Sequence, residues 1–164
     1  MNGSPSSTAA PASSSVSRSA ACAALGLELS VERMEALLSE YLRLEPFPEV
    51  PAALERMKMK RAILSNGSPD LLDPLVRSSG LRFDAVLSVD EVKIFKPAPQ
   101  VYELAVRRLN LPKERIGFVS SNCWDALGAK SFGFKVYWIN RLDTPLDRLG
   151  FSPDRIIKTL LDLA

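Results

Sequence analysis

From Arg61 onward, short apolar segments alternate with helical segments, and this alternation constrains the fold more than any other feature. Short buried-type strands separated by helices indicate a parallel sheet whose strands are joined by right-handed crossovers and covered by helices. The predicted strands are 61–64, 84–89, 115–120, 135–140 and 155–157. We therefore predict an α/β architecture.

Capping residues mark where the helices begin and end. Ser68 is a suitable N-cap with Pro69 in the first helical position, and Gly80 and Gly133 are suitable helix ends. An apolar helix is expected after the last strand. Ahead of the sheet, a helix capped by Ser30 is expected to run to about residue 44, where a Pro-rich segment precedes a short second helix.

The first residues differ in composition from the rest. Residues 1–18 are dominated by Ser, Ala and Pro, with no acidic residue and Arg18 as the one basic residue. Such a segment cannot bury enough apolar surface to offset the entropy of ordering, so we expect disorder. An organelle-targeting peptide stays open as an alternative, although such peptides are Arg-rich. The predicted organisation is a tail over 1–18, a helical segment over 19–46 and an α/β core over 47–164.

Composition argues against several functional classes. The net charge is +2 and the basic residues are scattered, unlike a nucleic-acid-binding surface. No apolar run approaches the ~18 residues of a membrane span. The chain has no histidine and two distant cysteines, Cys22 and Cys123, which argues against a zinc site and against Ser-His or Cys-His nucleophiles. Two lone cysteines also fit a reducing compartment, so we expect a cytoplasmic protein.

Polar residues cluster where three of the predicted strands end. Ser65 and Asn66 follow the first strand, Lys96 lies in the loop after the second, and 120–122 with Asp125 follow the third. Open α/β sheets bind ligands beyond the carboxyl ends of their strands. Two of the clusters also lie at helix N-termini, where backbone N–H groups favour anions. These features predict a site for a small anionic substrate.

Each of these residues also has a plainer interpretation. Ser65 and Ser68 suit a turn and a helix cap, and a loop lysine such as Lys96 is usually solvated. Asp125 lies in the first turn of a helix, where the helix dipole alone favours a carboxylate. Three clusters on successive strand ends of one sheet nevertheless favour a functional site.

Three of these segments resemble a known family. Residues 62–69 (AILSNGSP), 95–99 (FKPAP) with Tyr102, and 119–125 (VSSNCWD) resemble the later motifs of the haloacid dehalogenase superfamily. In detail they are similar to its (S)-2-haloacid dehalogenase branch. The resemblance covers roughly 19–164 and implies a Rossmann-like parallel sheet with flanking helices and the remnant of a helical cap.

The resemblance favours the dehalogenase branch over the magnesium phosphatases of the superfamily. Those phosphatases typically carry a metal-binding aspartate soon after the strand that ends here at Val119. This chain has Ser120, Ser121 and Asn122 there, and the nearest carboxylate is Asp125. Mg²⁺ sites depend on carboxylate ligands. The resemblance therefore implies a reaction that needs neither a metal nor a cofactor.

In that family an aspartate displaces the halide from the carbon beside the substrate carboxylate, and water then cleaves the resulting ester. The resemblance implies that Ser65 and Asn66 bind the substrate carboxylate and the region of the leaving halide. Lys96 would hold the nucleophile and stabilise charge, and Tyr102 would support Lys96.

The remaining roles implied by the resemblance belong to the segment after the third strand. Ser120 and Asn122 would position the ester and the water, and Asp125 would help to activate that water. Trp124 would line the pocket, although an aromatic residue there could equally belong to the core.

One departure from the family pattern concerns the nucleophile. The family's nucleophilic aspartate lies on its first strand, before the cap, whereas the first aspartate of these 164 residues is Asp70. We therefore expect this polypeptide alone to be inactive. We also expect unpaired strand edges between 61–64 and 115–119, and self-association through them. A non-catalytic anion-binding or partner-binding module, or a phosphatase-like hydrolase with a nucleophile from elsewhere, stays open as an alternative.

Overall fold

The computed structural model describes Gly26 and residues 30–164. The tail predicted for 1–18 lies outside these residues. The chain divides into two units, of which the first ends at Tyr41 and the second runs from Leu42 to Ala164. The predicted boundary between a helical segment and a core at residues 46 and 47 stays a prediction.

The described part of the first unit is helix α1, Val31–Tyr41. The Ser30 hydroxyl accepts a hydrogen bond from the Arg33 N–H at 3.4 Å, as expected of an N-cap. The helix ends before the predicted residue 44, because the chain must already leave the helical conformation ahead of Pro46. None of the residues of α1 is buried.

The second unit confirms the predicted alternation of strands and helices. Its elements are α2 (Val50–Arg56), β1 (Ala62–Ser65), α3 (Pro69–Ser78), β2 (Ala85–Ser88), α4 (Pro99–Leu109), β3 (Gly117–Ser120), α5 (Cys123–Phe132), β4 (Lys135–Ile139) and β5 (Arg155–Ile157), with 3₁₀ turns at Val89–Glu91, Lys113–Arg115 and Leu160–Leu163. Within the described residues, no helix is long and apolar enough to cross a membrane. The α/β fold class is therefore correct.

Two details of the helix ends correct the predictions. Ser68 occupies the N-cap position of α3, but its side chain makes no capping bond; its carbonyl oxygen instead accepts from the Leu71 and Leu72 N–H groups. The apolar helix expected after β5 is a single 3₁₀ turn over Leu160–Leu163, and Thr159 and Asp162 form a capping box at its start. Gly133 ends α5 with a φ of +110°, as predicted.

The strands form two parallel sheets within the described residues. In the first, β1 pairs with β2, and the carboxyl-terminal residues Ser65 and Ser88 lie opposite each other. In the second, β4 lies between β3 and β5. Strands β1 and β3 are not hydrogen-bonded to each other, and among the described residues no strand pairs with the facing edge of either one.

A single hydrophobic core nevertheless joins the two sheets. Leu64 and Leu87 come from the first sheet, and Phe118, Val136 and Trp138 come from the second. Tyr102 of α4 lies among them, with its ring centroid 5.7 Å from that of Phe118 and 6.0 Å from that of Phe134. Since burying each large apolar side chain is worth about 1.5–3 kcal/mol, the core holds the sheets together without strand pairing between them.

A contact outside the core ties α2 to the loop after β4. The Arg141 guanidinium pairs with the Glu49 carboxylate at 2.5 Å and lies 3.9 Å from the centroid of the Phe47 ring. The Thr159 hydroxyl donates to the same carboxylate. A backbone hydrogen bond and the bond from Arg141 lower the pKa of Glu49. The start of α2 and the loop after β4 are therefore joined by charged and polar contacts, whereas the two sheets are joined by apolar packing.

The unpaired edges generate a prediction about association. Val119 of β3 is 37% exposed, and β3 pairs with β4 along one edge. Among the described residues its other edge has no strand partner, which favours edge-to-edge pairing. We expect the 164-residue chain to self-associate and the Val119→Lys variant to be monomeric, as measured by analytical ultracentrifugation. Leu142→Lys is the matched control and should leave association unchanged, because Leu142 is 85% exposed but lies in the loop after β4, on no strand edge. A monomeric parent chain, or dissociation by Leu142→Lys, would contradict the assignment of these edges.

Candidate active site

The site is organised around one buried carboxylate, that of Asp125 in the first turn of α5. Lys96 Nζ lies 3.0 Å from Asp125 Oδ2, and the Ser120 hydroxyl donates to the same oxygen at 3.0 Å. The Tyr102 hydroxyl donates to Asp125 Oδ1 at 2.9 Å. A buried carboxylate stays charged only where such donors replace water. Asp125 therefore has three side-chain donors in addition to the helix dipole that acts in the first turn of α5.

Lys96 is not the solvated loop residue of the plainer interpretation. Its side chain is only 8% exposed, and Nζ lies 5.0 Å from the centroid of the Phe118 ring. Its backbone N–H donates to Asn66 Oδ1 at 2.9 Å, which joins the loop after β2 to the turn after β1. One residue thus links the carboxyl ends of both sheets, because its side chain reaches Asp125 while its backbone contacts Asn66.

Tyr102 reaches the site from helix α4 and is fully buried. Burial raises the pKa of its hydroxyl above the usual value of 10, and the neighbouring charge and hydrogen bond of Asp125 raise it further. The hydroxyl therefore stays protonated across the physiological pH range and acts as a donor to Asp125. The Tyr102–Asp125 hydrogen bond is a fixed part of the site and not a pH switch.

The turn after β1 is shaped by hydrogen bonds to its own backbone. The Ser65 hydroxyl accepts from the Gly67 N–H at 3.0 Å. A Cβ atom on Gly67 would lie 3.1 Å from the Leu72 side chain and 3.3 Å from Ser65 Oγ, so the turn leaves little room for a larger residue. Asn66 is exposed at the tip of the turn. This segment can present a hydroxyl and an amide to a ligand.

The residues after β3 differ in how they contact the rest of the site. The Ser120 hydroxyl also accepts from the Asn122 N–H at 3.2 Å, which fixes the start of α5. The Asn122 side chain does not cap that helix. Trp124 is 40% exposed, which excludes the interpretation that it is a core residue.

The structure brings together most of the residues that the sequence singles out. Lys96, Tyr102 and Ser120 contact Asp125 directly. Asn66 joins the network through its side-chain Oδ1, which accepts from the Lys96 N–H, and Asn122 joins through its own N–H, which donates to the Ser120 hydroxyl. Within the described part of the chain, Ser65 and Trp124 make no hydrogen bond to this network. Their assignment to the substrate stays a prediction.

The charge balance of the site bears on what it can bind. Asp125 is the carboxylate of the network, and the Lys96 ammonium and two hydroxyl groups already contact it. Among the described residues, no three acidic, cysteine or histidine side chains lie close enough to hold a metal ion. The positive charge in this network therefore comes from Lys96, which suits an anionic ligand.

Two residues at the site escaped the sequence analysis. Ser88, at the end of β2, is 5% exposed and hydrogen-bonds to the carbonyl oxygen of Gly67. Gly128 of α5 faces Pro97 and Tyr102, and a Cβ atom there would lie 2.6 Å from Pro97 Cβ and 2.7 Å from the Tyr102 hydroxyl. A serine at a strand end gives no local signal, and a glycine inside a helix indicates close packing without identifying the residues that it packs against.

Gly128 generates a prediction about packing at the site. Gly128→Ala should lower the free energy of unfolding by about 1–3 kcal/mol, because the added methyl group forces Pro97 or Tyr102 to move. Gly117→Ala is the matched control, since its Cβ atom would lie 3.5 Å from the Tyr137 ring, an ordinary contact. Urea denaturation measures both. Equal effects of the two substitutions would show that close packing at Gly128 is unimportant.

The buried ion pair generates a second prediction. Lys96→Met leaves the Asp125 charge buried without its cation and should cost about 3–5 kcal/mol of stability. The double variant Lys96→Met/Asp125→Asn should recover much of that loss. Lys130→Met is the matched control: Lys130 pairs with Asp154 at 2.7 Å, but both side chains are about a third exposed, so its loss should cost only about 0.2–1 kcal/mol.

Thermal or chemical denaturation of these variants decides the outcome. Equal costs of Lys96→Met and Lys130→Met would contradict the assignment of Asp125 as a desolvated carboxylate. Failure of Asp125→Asn to recover stability in the Lys96→Met background would do so as well.

Comparison with known proteins agrees with this geometry. The haloacid dehalogenase-like hydrolase family model matches residues 13–133. The chain is 48% identical over 144 residues to the (S)-2-haloacid dehalogenase of Pseudomonas sp. (strain YL), covering 85% of this chain and 62% of that protein. It is 47% identical over 123 residues to haloacetate dehalogenase H-2 of Moraxella sp. (strain B), covering 72% of this chain and 55% of that protein.

Solved structures show the same likeness. The L-2-haloacid dehalogenase of Xanthobacter autotrophicus with covalently bound chloropropionic acid has a TM-score of 0.81 and 36% identity, over 91% of this chain and 73% of that one. This chain spans less than two thirds of the length of the Pseudomonas and Moraxella proteins. It belongs to the haloacid dehalogenase-like hydrolase family.

Proposed function

We propose that these residues form part of the active site of a hydrolase that converts short (S)-2-haloacids into 2-hydroxy acids. The observation that carries the proposal is the buried Lys96–Asp125 pair at the meeting point of three strand ends. The pair places an ammonium group at the strand ends, where an anionic substrate would bind, next to a carboxylate that can accept a proton. The dehalogenases named above, which act on haloacids, support the same chemistry.

The proposed reaction has two covalent steps. An aspartate oxygen attacks the carbon that carries the halogen, and the halide leaves with the bonding electron pair. Water then attacks the carbonyl carbon of the resulting aspartyl ester, which releases the 2-hydroxy acid and regenerates the aspartate. Splitting one difficult displacement in this way lowers the barrier of each step.

The residues of this chain take distinct parts in that reaction. Lys96 attracts the nucleophilic carboxylate and the substrate, while Ser65 and Asn66 bind the substrate carboxylate. Asp125 accepts a proton from the attacking water: each carboxylate oxygen has two acceptor sites, and among the described residues the Tyr102 hydroxyl is the one side-chain donor to Oδ1.

The remaining assignments concern the surroundings of the reacting atoms. Ser120 and Asn122 position the ester and the water, and the half-exposed Trp124 ring lines the entrance. We place the reaction in the cytoplasm, without a metal ion, a nucleic acid or a membrane partner. The scattered basic residues, the two distant cysteines and the ammonium group of Lys96 support these assignments.

The nucleophile generates the next prediction. Because Asp70 is the first aspartate of the 164 residues, the purified polypeptide should release no halide from 2-chloropropionate at the ~1–1,000 per second typical of enzymes. A peptide with the family's first-strand sequence, which by the resemblance carries the nucleophilic aspartate, should bind between the β1 and β3 edges and restore halide release. The same peptide with asparagine in place of aspartate is the control.

The outcomes separate the candidate functions. Restored release that is lost in Lys96→Met supports the dehalogenase. Halide release by the polypeptide without the peptide would overturn the proposed origin of the nucleophile. Binding of 2-chloropropionate without turnover, even with the peptide, would favour a non-catalytic anion-binding module, and Mg²⁺-dependent phosphate release would favour a phosphatase.

A further inference from the structure

Ser88 holds the turn that follows β1 from outside that turn. It is the last residue of β2 and the register partner of Ser65, and it is 5% exposed. Its hydroxyl donates to the carbonyl oxygen of Gly67 at 2.7 Å and accepts from the Asp90 N–H at 3.1 Å. The donor capacity of this hydroxyl is therefore used within the protein, and Ser88 is not placed to bind a ligand itself.

The two neighbouring serines together fix Gly67 on both sides. The Ser65 hydroxyl accepts from its N–H at 3.0 Å, and the Ser88 hydroxyl donates to its carbonyl oxygen. The orientation of the turn thus depends on a residue from the adjacent strand. Asn66, between these anchors, accepts from the Lys96 backbone N–H and so connects the turn to the buried ion pair.

We propose that Ser88 is a positioning residue that orients the Ser65–Gly67 turn for binding of the substrate carboxylate. This inference rests on the proposed function, which assigns that turn to the substrate. Without the Ser88 hydroxyl, the carbonyl of Gly67 loses its hydrogen-bond donor and the turn can rotate. A net hydrogen bond is worth about 0.5–1.5 kcal/mol, so the dissociation constant for substrate should rise roughly three- to tenfold.

Ser79 provides a matched control elsewhere in the second unit. Its hydroxyl donates to the Val76 carbonyl oxygen at 2.8 Å and accepts from the Leu81 N–H at 3.2 Å. It therefore makes the same kinds of hydrogen bond as Ser88, but at the end of α3 and not beside the Ser65–Gly67 turn. Ser79→Ala should lower stability without changing ligand affinity.

The test uses the whole chain and two readouts followed by NMR. The first is the hydrogen-exchange rate of the Gly67 amide without ligand, and the second is the dissociation constant for (S)-2-chloropropionate. Ser88→Ala should speed the exchange and weaken binding by the factor given above. Ser88→Thr, which keeps a hydroxyl, should restore both readouts toward the parent values, whereas Ser79→Ala should change neither.

The two ways in which the inference can fail are distinguishable. If the parent chain binds 2-chloropropionate and Ser88→Ala binds it within twofold of the parent, or leaves Gly67 exchange unchanged, the role of Ser88 is overturned alone. If Ser79→Ala weakens binding as much as Ser88→Ala, the effect is one of general stability and the role is again overturned. If the parent chain binds no 2-chloropropionate, the proposed function is overturned and the inference with it.

Discussion

The burial of the Asp125 carboxylate is the constraint on which the rest of the site depends. A charge removed from water must be compensated by donors, and three come from different elements: Lys96 from a loop, Tyr102 from α4 and Ser120 from β3. All three donors must therefore reach the same carboxylate group. This requirement explains why α5 carries Gly128 where it meets Tyr102, since any side chain there would push a donor away.

The same network compensates for the separation of the two sheets. Strands β1 and β3 share no hydrogen bond, yet Lys96 contacts Asn66 beyond one sheet and Asp125 beyond the other. Apolar packing of Leu87 and Phe118 in one core brings the sheets near each other. The polar network then aligns their carboxyl ends, where the ligand of an open α/β sheet binds. Apolar packing thus sets the distance between the two sheets, and the polar contacts of Lys96 set the alignment of their strand ends.

Sequence reasoning predicted the fold class and the meeting of the polar strand ends, because both depend on patterns with a simple geometric meaning. Alternating strands and helices imply a parallel sheet, and polar residues at successive strand ends must then meet at one edge, as those around Lys96 and Asp125 do. The buried state of Lys96 could not be read in this way, since it depends on Phe118 and Asp125, which are distant in sequence.

The residues that sequence reasoning missed act only through tertiary contacts. Ser88 is recognisable only once its hydroxyl is seen on Gly67, and Gly128 only once Tyr102 lies against it. Local sequence rules were also wrong about two helix ends. At Ser68 the helix begins as predicted, but the side chain makes no capping bond. After β5, the chain forms one 3₁₀ turn where the apolar pattern suggested a longer helix.

The central claim is that the buried Lys96–Asp125 pair marks a site for a small anion. Anomalous diffraction from crystals of the chain soaked in bromide tests it most directly, because bromide mimics the leaving halide and its position is identified by its own scattering. The expected result is a bromide ion within hydrogen-bonding reach of Lys96 Nζ or of the N–H groups of the Ser65–Gly67 turn. Well-ordered crystals in which bromide binds elsewhere and leaves this crevice empty would contradict the claim.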